Sequence, residues 1–154
     1  MMYPYLLIFH SFFRWLVLLS LLYSIFRAWN GWQKGRLFEK TDEKMRHVTA
    51  TIAHIQLAIG YVLYFQSPLV IYFRANYAVA VKRLDFLFFG MIHISLMTVA
   101  VVMISIGSSA AKRKSLDADK FKVMTCWFIA ALILIFIAIP WPFSPLARRA
   151  LFRY

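Results

Sequence analysis

FLFFGMIHISLMTVAVVMISIG, residues 86–107, contains no Asp, Glu, Lys or Arg. At 1.5 Å of rise per helical residue it is long enough to cross a hydrocarbon core of about 30 Å. Charged groups bracket it, with Lys82, Arg83 and Asp85 before it and Lys112, Arg113 and Lys114 after it. Working outward, three more segments have the same character. Residues 123–139 follow the basic cluster and are closed by Pro140-Trp141-Pro142. Residues 47–66 end where Ser67-Pro68 disfavours helical continuation, and residues 5–28 run into the interfacial group Trp29, Trp32 and Lys34. The pattern predicts an all-α integral membrane four-helix bundle forming a single transmembrane domain over residues 1–154, with the lipid bilayer as its solvent. The first segment lacks a basic leader and a small-residue cleavage site, so it reads as a retained helix.

Composition agrees. The chain is 62% hydrophobic and 18% aromatic, with a mean hydropathy of +0.68, well above the 45–50% apolar content usual for soluble domains. A net charge of +12 would suit nucleic acid if it lay on one face. It lies instead in short blocks between apolar segments, which speaks for topology and against a nucleic-acid partner. The loops 27–46 and 110–122 hold eleven Lys and Arg. The other side holds six: Arg74, Lys82, Arg83, Arg148, Arg149 and Arg153. The positive-inside bias therefore predicts both richer loops in the cytoplasm and both termini outside. The lone cysteine, Cys126, excludes an internal disulfide and a thiolate metal cluster.

Ionisable side chains inside a span are costly and suggest function. Here they are His10 and Arg14 in the first segment, His54 in the second and His93 in the third. Neutral imidazoles ligate haem iron, and the core of a four-helix bundle is a common place to hold a cofactor between facing helices. Counting 1.5 Å per residue from the flanking anchors puts His10 roughly 8–10 Å and His93 roughly 12 Å below the outer surface, with His54 deeper at about 18 Å. Matching depth favours His10 and His93 as the axial pair. His54 is the alternate, which would replace His10 if the second helix tilts or starts earlier. Arg14 stands one turn from His10 and suits a haem propionate. Gly90, Ala50 and Ala58 are read as leaving space beside His93 and His54. Met97 is read as packing, Tyr61 and Gln56 are weaker candidates for proton or quinone contacts, and the fourth helix is read as packing and anchorage.

No phosphate-binding glycine loop, HExxH or G-x-S-x-G motif is present. All six acids fall in the expected loops or at helix ends, which disfavours a carboxylate-driven transporter.

The order HSFFRW (residues 10–15), AHIQLAIGYVLYF (residues 53–65), a histidine early in the third segment and IPWPF (residues 139–143) resembles small bacterial four-helix membrane proteins labelled cytochrome b. The likeness covers most of the chain. It implies a multi-pass protein of the bacterial inner membrane with haem b held by histidines at positions 10, 54 and 93. Cytochromes of the b561 type use four histidines for two haems, whereas three lie within spans here, so one haem is the expectation. The function expected is one-electron transfer, with a quinol or a membrane-protein partner as donor or acceptor, or within a homo-oligomer. Such a protein is an electron carrier rather than a stand-alone enzyme. The alternative is a non-catalytic accessory subunit of a larger membrane complex with no haem, its histidines serving interhelical hydrogen bonds.

Overall fold

The computed structural model describes residues 2–147 and Arg149. Arg148 and Arg153, counted above for topology, lie outside the described residues. The described residues are helical almost throughout and include no strand. Four helices are long and apolar enough to cross a membrane: α1 (Tyr3–Gln33), α2 (Lys40–Gln66), the continuous stretch Leu84–Lys112, and α7 (Asp117–Ala138). The stretch Leu84–Lys112 comprises α5 (Leu84–Leu87), a π-helical turn (Phe88–Ile92) and α6 (His93–Lys112). The bundle is a closed ring. Helix α1 packs on α2 and α7, and α6 packs on the same two, so α1 faces α6 across one diagonal and α2 faces α7 across the other.

Each helix is longer than its expected apolar segment because backbone hydrogen bonding continues into the flanking polar residues. Helix α2 begins at Lys40 rather than 47, since Glu39 and Asp42 form a reciprocal capping box that satisfies its first N–H groups. Residues 27–33 belong to α1, leaving a short connection at 34–39, where Gly35 takes a φ of 60° that suits glycine. Helix α2 stops where expected. Ser67 is extended, with φ −71° and ψ 122°, and Pro68 opens α3 (Pro68–Ala75). The aromatic-rich stretch 69–81, expected to be a connection, is folded into α3 and α4 (Tyr77–Ala80). Val70, Phe73 and Ala80 of this stretch are buried, so it caps one end of the bundle.

Close approach between spans rests on small residues, as expected where lipid removes the hydrophobic drive between helices. Gly31 lies under the Phe121 ring, and Gly107 lies against Trp127. The core between them is Leu21, Ile104, Phe121, Met124 and Phe128, all essentially inaccessible. Ser24 and Thr49 hydrogen-bond across α1 and α2 at 2.8 Å, and Thr49 also donates to the Ser20 carbonyl at 3.2 Å.

Gly90 plays a different part from the one expected. The space its missing side chain leaves is filled by the Phe73 ring of α3, not held open for a cofactor. A Cβ there would collide with that ring, so Gly90→Ala should destabilise by about 1–3 kcal/mol, the usual penalty of overpacking. Thermal unfolding in detergent reads it, and an unchanged midpoint would refute this account of the cap.

Candidate functional site

A cavity of about 420 Å³ opens inside the bundle at the end where α1 begins and α7 ends. That size lies within the roughly 300–1,000 Å³ typical of small-molecule and cofactor sites. His10 and Arg14 line it from α1, Gln56 from α2, His93 and Met97 from α6, and Ile135 and Ile139 from the last turn of α7 and its C-cap. His10 and His93 thus face one cavity from diagonally opposed helices. His54 does not line it. Although α2 starts seven residues earlier than expected, this residue is turned to the exposed side of the α2–α6 seam. There its Nδ1–H donates to the Ala50 carbonyl at 2.7 Å, and its Nε2 accepts from the Ser105 hydroxyl at 3.1 Å. Seven residues on, Tyr61 makes the same kind of bond to Thr98 at 2.8 Å. His47 is exposed at the first turns of α2, as expected of an interfacial side chain.

The orientation of His93 follows from the end of α7. In an α-helix the carbonyls of Phe136 and Ala138 would accept the N–H groups of residues 140 and 142, but both are proline. Two carbonyls are freed, and each finds a side-chain donor. The Trp141 indole N–H donates to Phe136 at 2.8 Å, and the His93 Nδ1–H donates to Ala138 at 2.7 Å. Since a carbonyl only accepts, Nδ1 carries the proton and the lone pair resides on Nε2, which makes no hydrogen bond among the described residues. An imidazole held by Nδ1–H to a carbonyl with Nε2 uncommitted is the arrangement found where histidine binds metal. Helix α7, read from sequence as packing and anchorage, therefore also orients a site residue.

The π-helical turn immediately before His93 adds to the positioning. Such turns recur at functional sites because they re-aim the following side chain. Here the chain is held by Tyr64 of α2, whose hydroxyl donates to the Gly90 carbonyl at 2.8 Å. Phe88 and Phe89 flank the His93 ring at centroid distances of 5.7 and 6.3 Å.

His10 is held differently. The Gln56 amide donates to the His10 carbonyl at 3.0 Å and makes a longer contact of 3.4 Å to its Nε2. The short bond to a carbonyl fixes the amide nitrogen as the group facing His10. Buried without partners are His10 Nδ1 and Gln56 Oε1. Gly60 lies beside the imidazole, where a Cβ would come within 3.3 Å of Cε1. Only the 3.4 Å contact, beyond the usual 2.7–3.2 Å range, has to yield for His10 Nε2 to take a ligand.

Arginine supplies the charge. Arg14 lies over the Trp15 ring at 5.5 Å, and Arg149 lies over Phe89 at 4.9 Å. Both line the cavity, and among the described residues that line it none is Asp or Glu. Among the described residues no group of three or more His, Cys, Asp or Glu side chains gathers to hold a metal ion. Compared with known proteins, the chain matches no family model, no curated protein and no solved structure. The site must be read from its own chemistry.

The residues that sequence reasoning undervalued are Tyr64, Ala138 and Arg149, with Gln56 ranked too low. The spacing of the two prolines four residues after Phe136 and Ala138 was the available signal for the freed carbonyls. Nothing in the local sequence marks the other three.

Proposed function

We propose that the chain is a haem-b-binding membrane protein that carries single electrons, with His93 and His10 as the residues that would hold the haem iron. The observation that carries this reading is His93: its Nδ1–H is fixed on the Ala138 carbonyl and its Nε2 is uncommitted, in a cavity shared with His10. The rest of the donor set fits a dicarboxylate porphyrin. The cavity is walled mainly by apolar side chains, its volume is about 420 Å³, and its described lining includes Arg14 and Arg149 and no Asp or Glu. Haem b supplies a one-electron iron couple. The Ala138 carbonyl makes His93 a more basic and better oriented ligand. Arg14 offers a fixed bidentate donor to a propionate, and the apolar wall excludes water, which tunes the potential. A membrane quinol or a partner membrane protein is the proposed source of electrons.

Both termini are proposed to face outward from a bacterial inner membrane, on the asymmetry of eleven basic residues against six. A Lys34→Cys substitution should then be protected from an impermeant thiol reagent in intact cells; ready labelling would reverse the orientation.

The test of haem is an absorption spectrum of the detergent-purified protein before and after dithionite. A Soret band and reduced α and β bands are expected. A missing Soret band in protein from haem-sufficient cells would refute the haem reading and leave the second one, an accessory subunit whose histidines join helices. The bond between His54 and Ser105 favours that role for His54. His54→Ala should accordingly leave the haem spectrum unchanged; loss of the low-spin bands would move His54 into the site.

A further inference from the structure

Resting on that haem reading, we propose that Arg149 is a carboxylate anchor for the porphyrin additional to Arg14, at the end of the bundle where α7 finishes. After the proline-bounded turn the chain runs back over the cavity. The Trp141 and Phe143 rings stack at 5.8 Å, and the Ser144 hydroxyl, on a buried residue, accepts from the Leu146 N–H at 3.2 Å. This path brings the Arg149 guanidinium over Phe89, four residues before His93, and into the cavity wall. Its Nε is buried and has no hydrogen-bond partner.

Arg149 is half-buried, and a guanidinium drawn partly out of water gains from a paired anion, because desolvation of an unpaired charge is more unfavourable than desolvation of a paired one. The chain does not provide one from its acidic side chains. Of its six acids, Glu39, Asp42, Glu43, Asp117 and Asp119 lie at the opposite end of the bundle. Asp85, the one at this end, is exposed and paired with Arg83 at 3.3 Å. Among the described residues no acid pairs with Arg149, and the planar fork of arginine matches a ligand carboxylate in bidentate fashion. A porphyrin propionate and a lipid phosphate are both anions within reach of such a group. The apolar cavity beneath Arg149, with His93 one turn away, favours the propionate.

Fluorescence titration of the full-length purified protein with metal-free protoporphyrin IX and with its dimethyl ester isolates the carboxylate, because neither probe uses the histidines. The diacid should bind the native protein about tenfold tighter than the diester, the worth of one charge-assisted hydrogen bond. Arg149→Gln should lose most of that preference while leaving diester binding unchanged, Arg14 retaining the remainder, and Arg149→Lys should lose less. Equal binding of the two probes by the native protein, or a preference undiminished in Arg149→Gln, would overturn the proposal; an undiminished preference is also the result expected if Arg149 serves a lipid phosphate. Failure of the haem reading is a separate outcome. It would show as an absent Soret band with haem itself, whatever the metal-free probes do.

Discussion

His93→Ala is expected to abolish the low-spin haem spectrum, and free imidazole added to the variant is expected to restore it. The substitution removes an imidazole whose ring is fixed by Ala138 and whose Nε2 faces no hydrogen-bond partner among the described residues. It also leaves that carbonyl buried without its donor, a loss of about 1–3 kcal/mol that should lower the thermal midpoint modestly. The two effects separate. Imidazole entering the vacated space can supply both the ligand nitrogen and the N–H for Ala138, so spectral recovery together with recovered stability would mark a ligand. A variant with the native spectrum would sink the assignment. His10→Ala should also lose the bis-histidine bands, but without unsatisfying a helix carbonyl. The Gln56 amide remains on the residue 10 backbone, so its stability change should be smaller.

Asp42→Ala should destabilise the bundle by about 2–4 kcal/mol while leaving the proposed haem site untouched. Asp42 is only 1% exposed, yet its carboxylate accepts from four donors: Arg27 Nε at 2.8 Å, Arg36 Nη1 and Nη2 at 2.8 and 2.9 Å, and the Glu39 N–H at 3.1 Å. It ties the last turns of α1, the connection and the first turn of α2 into one unit. Breaking a fully buried pair typically costs about 3–5 kcal/mol. The lower figure here allows for Arg27 and Arg36 being 21% and 30% exposed, where water screens part of the loss. Asp42→Asn should lie between, since the amide oxygen still caps the helix but the charge is gone. The cavity is at the far end of the bundle, so the haem spectrum should not change. An unaltered thermal midpoint in Asp42→Ala would show the network to be dispensable. A buried cation nearby, Arg46, bonds the Ser108 carbonyl at 3.0 Å and pairs with Glu43. This ties α2 to α6 independently and explains why the substitution should weaken rather than unfold the protein.

The four spans were legible because hydrocarbon imposes a length and a polarity on any segment that crosses it, and residues 86–107 meet both without reference to the rest of the chain. His10 and His93 were legible as a pair for a related reason. Rise per residue converts sequence distance from an interfacial anchor into depth, and equal depth is a condition for sharing one site. Facing is another matter. His54 also sits in a span, but the rotation of α2 about its axis turns it to the exposed seam and Gln56, two residues on, to the cavity. That rotation is set by packing of Ala53 and Thr49 into the bundle, which depth counting does not see.

The amino-acid sequence by itself determined the class of the protein, the number of spans, the break at Ser67-Pro68 and which ionisable groups lie within the hydrocarbon. These depend on local chemistry: side-chain polarity, proline geometry and helical rise. Only the tertiary structure decided which histidines share a cavity, that the carbonyl freed by Pro142 orients His93, that Phe73 fills the space at Gly90, and that Arg149 returns over the site. Each of these joins residues far apart in the chain, and their meeting depends on how helices rotate and close on one another, which is fixed by packing summed over the whole bundle.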